Sequence, residues 1–429
     1  MRSDRTRRPH RHLGMSATGL TPKLSLRLRI WKEAWRRLGA RLGLPLFTWQ
    51  LLESIRRPEW LYRSNGLLPR GKLYFREPQP VSEADIDLCE RLIASYSAVQ
   101  ELSSEETGGM WSTIFASHQR QLAGALERRD ATVLAEMLAS MFRADFMFGI
   151  APGSLVRESK SRLGARIWWL KGLEGLLSLA EALGVTGVDN PEQGTPGRAF
   201  IDVGIDGVVE KIETHLGISM NFPEVGAPYG ILADEQLITL ESPEQIYAAE
   251  RLRQAMRLHL SPESWNHPRI VEIGAGYGGM AYWFLRMQKT VESYVIVDLP
   301  IMNVVQGYFL SRALGPDVVS FFGESPAQIT IVPNSALASV AVPYDVLLNK
   351  DSMPEMPERA MLDYLVWARS GCDGLFFSYN QEAAAQFDGV SQSLVPEAVE
   401  RVGGFARVRR DASWLRRGYV EEIYVRTRA

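Results

Sequence analysis

Cysteine is nearly absent: the 429 residues hold two, Cys89 and Cys372, far apart and outside any CxxC spacing. That excludes a disulfide framework and a cysteine zinc site, and it fits a reducing, cytoplasmic setting. No run approaches the roughly 20 consecutive apolar residues that cross a bilayer. The opening "MRSDRTRRPHRHLG" has no apolar core, so a secretory signal is not expected either. Metal-ligand spacing such as HExxH is missing, and no metal is expected. There is no internal repeat, heptad run or low-complexity tract. No RNA-binding module accompanies the basic residues, so nucleic acid is not an expected partner.

What is present is an ordinary globular composition, 46% hydrophobic and 23% charged, in a chain long enough for two or three domains. The net charge of −2 hides an asymmetry: residues 1–75 carry 17 Lys/Arg against 4 Asp/Glu, leaving −15 for the remainder. Residues 1–22 read as a disordered basic arm, and 23–75 as a basic helical extension. In the latter, Leu28, Trp31, Trp35, Leu38 and Leu42 recur at three- and four-residue steps among Arg29, Lys32, Arg36, Arg37 and Arg41. Such a helix can dock on the rest of the protein or make peripheral contact with an anionic membrane.

Residues 76–241 are patterned as helices and form the expected substrate or lid domain, with a turn-rich linker near 186–200. "SEAD" offers Ser82 as an N-cap with an acid three residues on, and "SPEQ" repeats the signal with Gln245 closing the box. From Ser242 short apolar runs alternate with helical ones: "RIVEIGA", "ESYVIVDL", "DVVSFFG", "YDVLLNK" and "GLFFSYN" read as strands. The end differs, because "FARVRRDASW" and "YVEEIYVRT" are strand-like with no helix between them. Alternation implies a parallel sheet covered on both faces. Five such units closed by an antiparallel pair predict a Rossmann-like, seven-stranded α/β sheet over 242–429, behind a mostly helical N-terminal domain.

Between the first strand and its helix lies "EIGAGYGG". Gly274, Gly276 and Gly279 satisfy the dinucleotide pattern GxGxxG, while Glu272, Gly274, Gly276 and Gly278 satisfy the ExGxGxG of S-adenosylmethionine (SAM) enzymes. A glycine turn opening a helix lets a ligand approach backbone N–H groups and the positive helix end. Glu272 favours a ligand with an amino group over a pyrophosphate, which it would repel. Asp298, ending the second strand, can accept bonds from ribose hydroxyls of either ligand. The sheet is completed after the loop and the extra domain comes before it, which also favours SAM.

The segments "VEIGAGYGGMAYWF", "YVIVDLPIMNVVQGYFL", "NKDSMPEMP" and "SYNQEA", with "FPEVGAPYG" ahead of "SPEQIYAAERL", resemble the sugar O-methyltransferases of antibiotic and surface-polysaccharide pathways. The resemblance covers 210–385 well and the helical part loosely; the basic arm is not part of it. It implies SAM-dependent methylation of a sugar hydroxyl on a nucleotide-sugar, a glycosylated natural product or a polysaccharide intermediate. Another small-molecule, RNA or protein acceptor, or a non-catalytic binding module on the same fold, are the alternatives.

Methyl transfer to oxygen needs an aligned hydroxyl and a proton acceptor. Asp351, just past the fourth strand, is the leading base, and His215 and Glu382 are further catalytic candidates. Asp351 with Glu382 could instead hold a divalent ion. Expected at the cofactor are Glu272, Gly274, Ala275, Gly276, Tyr277, Gly278, Asp298, Leu299, Asn349 and Lys350. Glu324, in "FFGES" after the third strand, is placed at the adenine amino group. Tyr229, Glu355, Asn380 and Gln381 are expected at the acceptor, with Glu224 nearby. A homo-oligomer is compatible with all of this.

Overall fold

The computed structural model of the protein describes residues 69–100, 115–151, 162–190, 194, 197–383, 386–387 and 390–427. They lie in one compact unit, Glu59–Ala429. The basic arm and the amphipathic stretch with Trp31 and Trp35 fall outside the described residues. Among those described, no helix is long and apolar enough to cross a membrane.

The N-terminal part is helical, as its periodicity predicts. After the short strand β1 (Tyr74–Phe75), helix α1 (Glu83–Gln100) starts at the expected capping box. The Ser82 N–H donates to Asp85 Oδ2 at 2.9 Å and the Asp85 N–H to Ser82 Oγ at 3.3 Å. Helices α2 (Arg120–Glu127) and α3 (Ala131–Leu138, capped by Asp130) follow, then α4 (Arg162–Ala182) and α5 (Arg198–Leu216). The chain then forms an antiparallel hairpin, β2 (Tyr229–Ala233) and β3 (Gln236–Thr239), onto which β1 pairs. The segment "FPEVGAPYG" therefore leads into a buried strand.

Helix α6 (Ser242–His259) begins with Pro243 in its first turn, but the expected capping box does not form. Ser242 Oγ instead bonds Thr239 Oγ1, and Gln245 turns away to accept from the Tyr277 hydroxyl at 2.9 Å. After a short turn of helix, α7 (Pro262–Asn266), the strand–helix alternation runs β4 (Arg269–Ile273), α8 (Gly279–Met287), β5 (Ser293–Asp298) and α9 (Pro300–Leu314). It continues β6 (Val319–Phe321), β7 (Ile329–Pro333), β8 (Tyr344–Lys350), α10 (Glu358–Gly371) and β9 (Cys372–Gln381). Past the two-residue strands β10 (Gln386–Phe387) and β11 (Val390–Ser391), helix α11 (Val395–Val402) leads into β12 (Phe405–Ala412) and β13 (Tyr419–Arg426).

The described strands of the large sheet stand in the order β12-β13-β9-β8-β4-β5-β7-β6. All are parallel except β13, which is antiparallel to both neighbours. This is the expected Rossmann-like α/β sheet with β4 near its centre, plus one strand more than the sequence pattern predicts. The extra strand is "ITIVP", β7, which takes the place beside β5 and leaves "DVVSFFG", β6, at the edge. Only seven residues, 322–328, join β6 to β7, too few for the helical crossover that parallel neighbours usually need, so alternation gave no sign of β7.

The helical part is fastened to the sheet by α1 lying on α9. Asp85 accepts from Tyr308 Oη at 3.2 Å and pairs with Arg312 at 3.1 Å. Arg91 forks onto Glu324 at 2.9 and 2.8 Å. The helices approach closely at Gly307, where a Cβ would lie 2.5 Å from Leu92 Cδ2 and 2.8 Å from Phe321 Cε1. Gly307→Val is expected to lower unfolding stability by about 1–3 kcal/mol through overpacking. Denaturant titration checks this; unchanged stability would mean that α1 can move off α9 freely.

Candidate functional site

The carboxyl ends of β4, β5 and β8 meet around a cavity of about 550 Å³. Its floor is the glycine loop. Gly274 has φ +72° and its N–H donates to Val297 O at 2.9 Å; a Cβ there would lie 2.1 Å from Ser352 Oγ. Gly276, at φ +60°, turns its bare side to the cavity, where a Cβ would be 3.5 Å from Ile150 of the helical part. Both positions need glycine, the first also for closeness and the second for backbone conformation.

Asp298 fixes this loop to the end of β5. Its Oδ2 accepts from the Ala275 N–H at 2.9 Å and from Gln306 Nε2 at 2.6 Å, and its Oδ1 accepts from the Leu299 N–H at 2.8 Å. Burial pushes this carboxyl up to about 6 against the pull of those donors. Glu272 lies deeper, 1% exposed, and lines the same cavity. Its Oε2 accepts from the Tyr294 hydroxyl at 2.8 Å, while its Oε1 has no partner. Burial, helped by the Asp298 charge, raises it to about 7 despite the Tyr294 bond and the nearby Lys350. An unpartnered buried carboxylate oxygen fits an ammonium group, and the same acid opposes a pyrophosphate.

A second wall carries paired charges. Lys350 Nζ sits 2.9 Å from Glu244, and Arg416 reaches both Glu244 at 3.4 Å and Asp351 at 2.5 Å. Burial opposes ionisation of Glu244, yet Lys350 and Arg416 hold it down at about 2. Asp351 has φ +62°, its N–H donates to Tyr379 O at 3.0 Å, and its Oδ1 accepts from the Tyr419 hydroxyl at 2.6 Å. Aromatic packing closes the rear: Tyr277 meets Phe142 and Phe309 edge-on with ring centroids 4.9 and 5.0 Å away.

Of the residues singled out from sequence, Glu272, Gly274, Ala275, Gly276, Tyr277, Asp298, Leu299, Lys350, Asp351 and Glu355 line the cavity. Gly278 caps α8 just behind it, packed toward Leu310. Asn349 is also behind the wall, fully buried. Its Nδ2 donates to Ile273 O at 2.8 Å, and its Oδ1 accepts from Asn380 Nδ2 at 2.9 Å, so both amides stitch strand ends together. Gln381 bonds the Ala383 N–H and is not in the lining.

Other candidates lie elsewhere. His215 is exposed on the last turn of α5, because its helix ends before the chain reaches the cavity. Glu382 is forked by Arg410 at 2.6 Å through both oxygens, which also draws its carboxyl below the usual range; it is not brought to Asp351. Among the described residues no group of three metal-ligating side chains occurs. Tyr229 is buried in β2, stacked on Phe75, with its hydroxyl toward Glu241 at 3.4 Å. Glu224 pairs with Arg76 at 3.5 Å. Glu324 is held by Arg91 at the edge of the sheet. The interposed β7 leads instead into Asn334, which lines the cavity together with Tyr364 of α10.

Sequence reasoning missed Gln306, Gln245, Ser352, Asn334, Arg416 and Tyr419. A lone glutamine in the apolar "IMNVVQGYFL" was a signal for the first. Arg416 and Tyr419 reach Asp351 only through the antiparallel strand order, from 65 and 68 residues away.

No family model matches the chain, and no curated protein matches it either. Solved structures to which this chain is similar include the mitomycin 7-O-methyltransferase MmcR, 13% identical over 80% of this chain and 95% of that one, TM-score 0.34. The pyocyanin biosynthetic protein PhzM is 15% identical over 80% and 96%, TM-score 0.33. Magnesium protoporphyrin IX methyltransferase (ChlM) from Synechocystis PCC 6803 with bound SAH is 12% identical over 43% and 87%, TM-score 0.32.

The raised Glu272 carboxyl makes stability depend on pH. Between its ordinary 4.5 and about 7 the folded protein holds a proton there that the unfolded chain releases. Stability therefore falls as pH rises through this window, by about 3 kcal/mol in all. Glu272→Gln should match the wild type near pH 4.5 and exceed it at pH 8 in denaturant unfolding. A constant difference across that range would mean that Glu272 is not a buried ionisable group.

Proposed function

We propose that the cavity binds SAM and that the protein transfers the methyl group to a hydroxyl of a sugar-containing acceptor. The observation that carries the reading is the buried Glu272 carboxylate at the glycine loop, with one oxygen unpartnered and Lys350 on the neighbouring wall. Together they offer a carboxylate to an α-ammonium and a cation to an α-carboxylate, the two charges of a free amino-acid end. Asp298, one strand over, offers an acceptor to a ribose hydroxyl.

SAM, when bound, supplies a methyl group activated by its sulfonium. The chain's own task is to orient a hydroxyl and take its proton. Asp351 suits the first task by geometry. Arg416 and Tyr419 each donate to one of its oxygens, leaving a lone pair on both for the acceptor. Asp351 holds the hydroxyl and receives the proton as the new bond forms. Glu355 at the same rim adds a second carboxylate for hydroxyl groups, which is what supports a sugar over an apolar acceptor.

Calorimetry with SAM and S-adenosylhomocysteine (SAH), followed by SAH release across a panel of sugar-containing acceptors, tests the reading. Binding of NAD without SAM would sink it. Asp351→Asn is expected to lower kcat by about 10²–10⁴-fold while leaving the KM for SAM within about twofold. A loss confined to SAM affinity would place Asp351 at the cofactor instead.

A further inference from the structure

The most constrained polar group at the cavity is one that does not touch it. Gln306 lies in α9 with no exposed surface, between Val304, Val305, Tyr308 and Phe309, all buried. A buried amide in an apolar stripe is costly unless its bonds are made. Here they are: Oε1 accepts from Asn303 Nδ2 at 3.1 Å, which fixes the amide's orientation. Nε2 donates to Gly276 O at 2.9 Å and to Asp298 Oδ2 at 2.6 Å. One side chain thus grips both the glycine loop and the carboxylate at the end of β5.

The consequence lies in the lone pairs. Asp298 Oδ2 takes two donors, Gln306 Nε2 and the Ala275 N–H, and is filled. Oδ1 takes the Leu299 N–H as its one close donor; the Gly276 N–H draws on the same carboxylate more weakly, and Oδ1 keeps the more open side. We propose that Gln306 is a positioning residue that saturates Asp298 Oδ2 and so aims Oδ1 at a single ribose hydroxyl of the bound nucleoside. The proposal rests on the cavity being a SAM seat. Gln306 also keeps the carboxylate charged: burial already pushes Asp298 up to about 6, and losing a donor moves it further toward neutrality.

The test is calorimetry with SAH and its 2′-deoxy and 3′-deoxy analogues, at pH 6.5 and pH 8.5, on wild type, Gln306→Met and Gln306→Glu. The wild type should lose roughly tenfold in affinity with one deoxy analogue and little with the other. Gln306→Met should bind SAH roughly tenfold more weakly at pH 6.5. That deficit should shrink at pH 8.5, where Asp298 is ionised in both proteins, and should be small for the sensitive deoxy analogue. Gln306→Glu, nearly the same shape, should be weaker at both pH values because it faces Asp298 with a second acid.

Equal losses for all three ligands at both pH values would mean that Gln306 merely packs, and overturn the proposal. Equal affinity of the wild type for SAH and both analogues would overturn it without any variant. A wild type that binds no SAH overturns the reading of the cavity instead. Circular dichroism establishes that each variant is folded; should Gln306→Met unfold, Gln306→Glu and the wild-type comparison decide.

Discussion

The bond between the Asp298 carboxylate and the loop leaving β4 is the constraint on which the cavity depends. A loop whose glycines have almost no side chains to pack has no shape of its own; hydrogen bonds must give it one. The Gly274 N–H continues the ladder to Val297, the Ala275 N–H goes to Asp298, and Gln306 holds the Gly276 carbonyl. These ties set how α8 leaves the sheet and where its N-terminal end points. They also require an acid at the end of β5 and an amide in α9 that no apolar residue could replace.

That requirement has an electrostatic consequence. Glu272 is buried and Asp298 half-buried, each raised by desolvation, and the charge of Asp298 raises Glu272 further. A cation seated between loop and wall relieves both, and a phosphate pair worsens both. Selectivity at this loop therefore comes from the buried acids and not from the glycine spacing, which two ligand classes share. The opposite wall follows a different rule: Lys350, Glu244, Arg416 and Asp351 neutralise one another, so that wall directs hydrogen bonds without a large net field.

How much of this was legible follows from the range over which each residue acts. Local signals succeeded: the Ser82–Asp85 box, the central strands, the glycine loop, Asp298 at a strand end, and the closing antiparallel pair all depend on neighbours in sequence. Position counting failed where it assumed a strand count. Counting "DVVSFFG" as the third strand puts Glu324 at the adenine; with β7 interposed, that strand is an edge and its acid meets Arg91. Polar residues at the ends of β8 and β9 look alike in sequence, yet Asn349 and Asn380 point behind the wall and Asp351 lines the cavity. Two residues apart, Asn349 and Asp351 would share a face on a continuing strand; β8 ends at Lys350, and the left-handed backbone of Asp351 breaks the alternation there. His215 precedes a loop expected over the cleft and Glu382 follows the fifth strand, yet the last turn of α5 leaves His215 exposed and Arg410 holds Glu382.

Asp351 shows how the two halves of the site divide. The cavity floor is built from β4, β5 and α9, while the ties on Asp351 come from β9 and the C-terminal hairpin: Tyr379 O, Arg416 and Tyr419. Its backbone sits in the left-handed region, which costs a residue with a Cβ about 1–2 kcal/mol. A glycine would satisfy that backbone without strain, so the position is occupied for its carboxylate. The strain is tolerable because an N–H bond and two side-chain donors fix the same geometry from three directions. Since none of the three touches the glycine loop, the hairpin can change what the wall accepts without disturbing the floor beneath it.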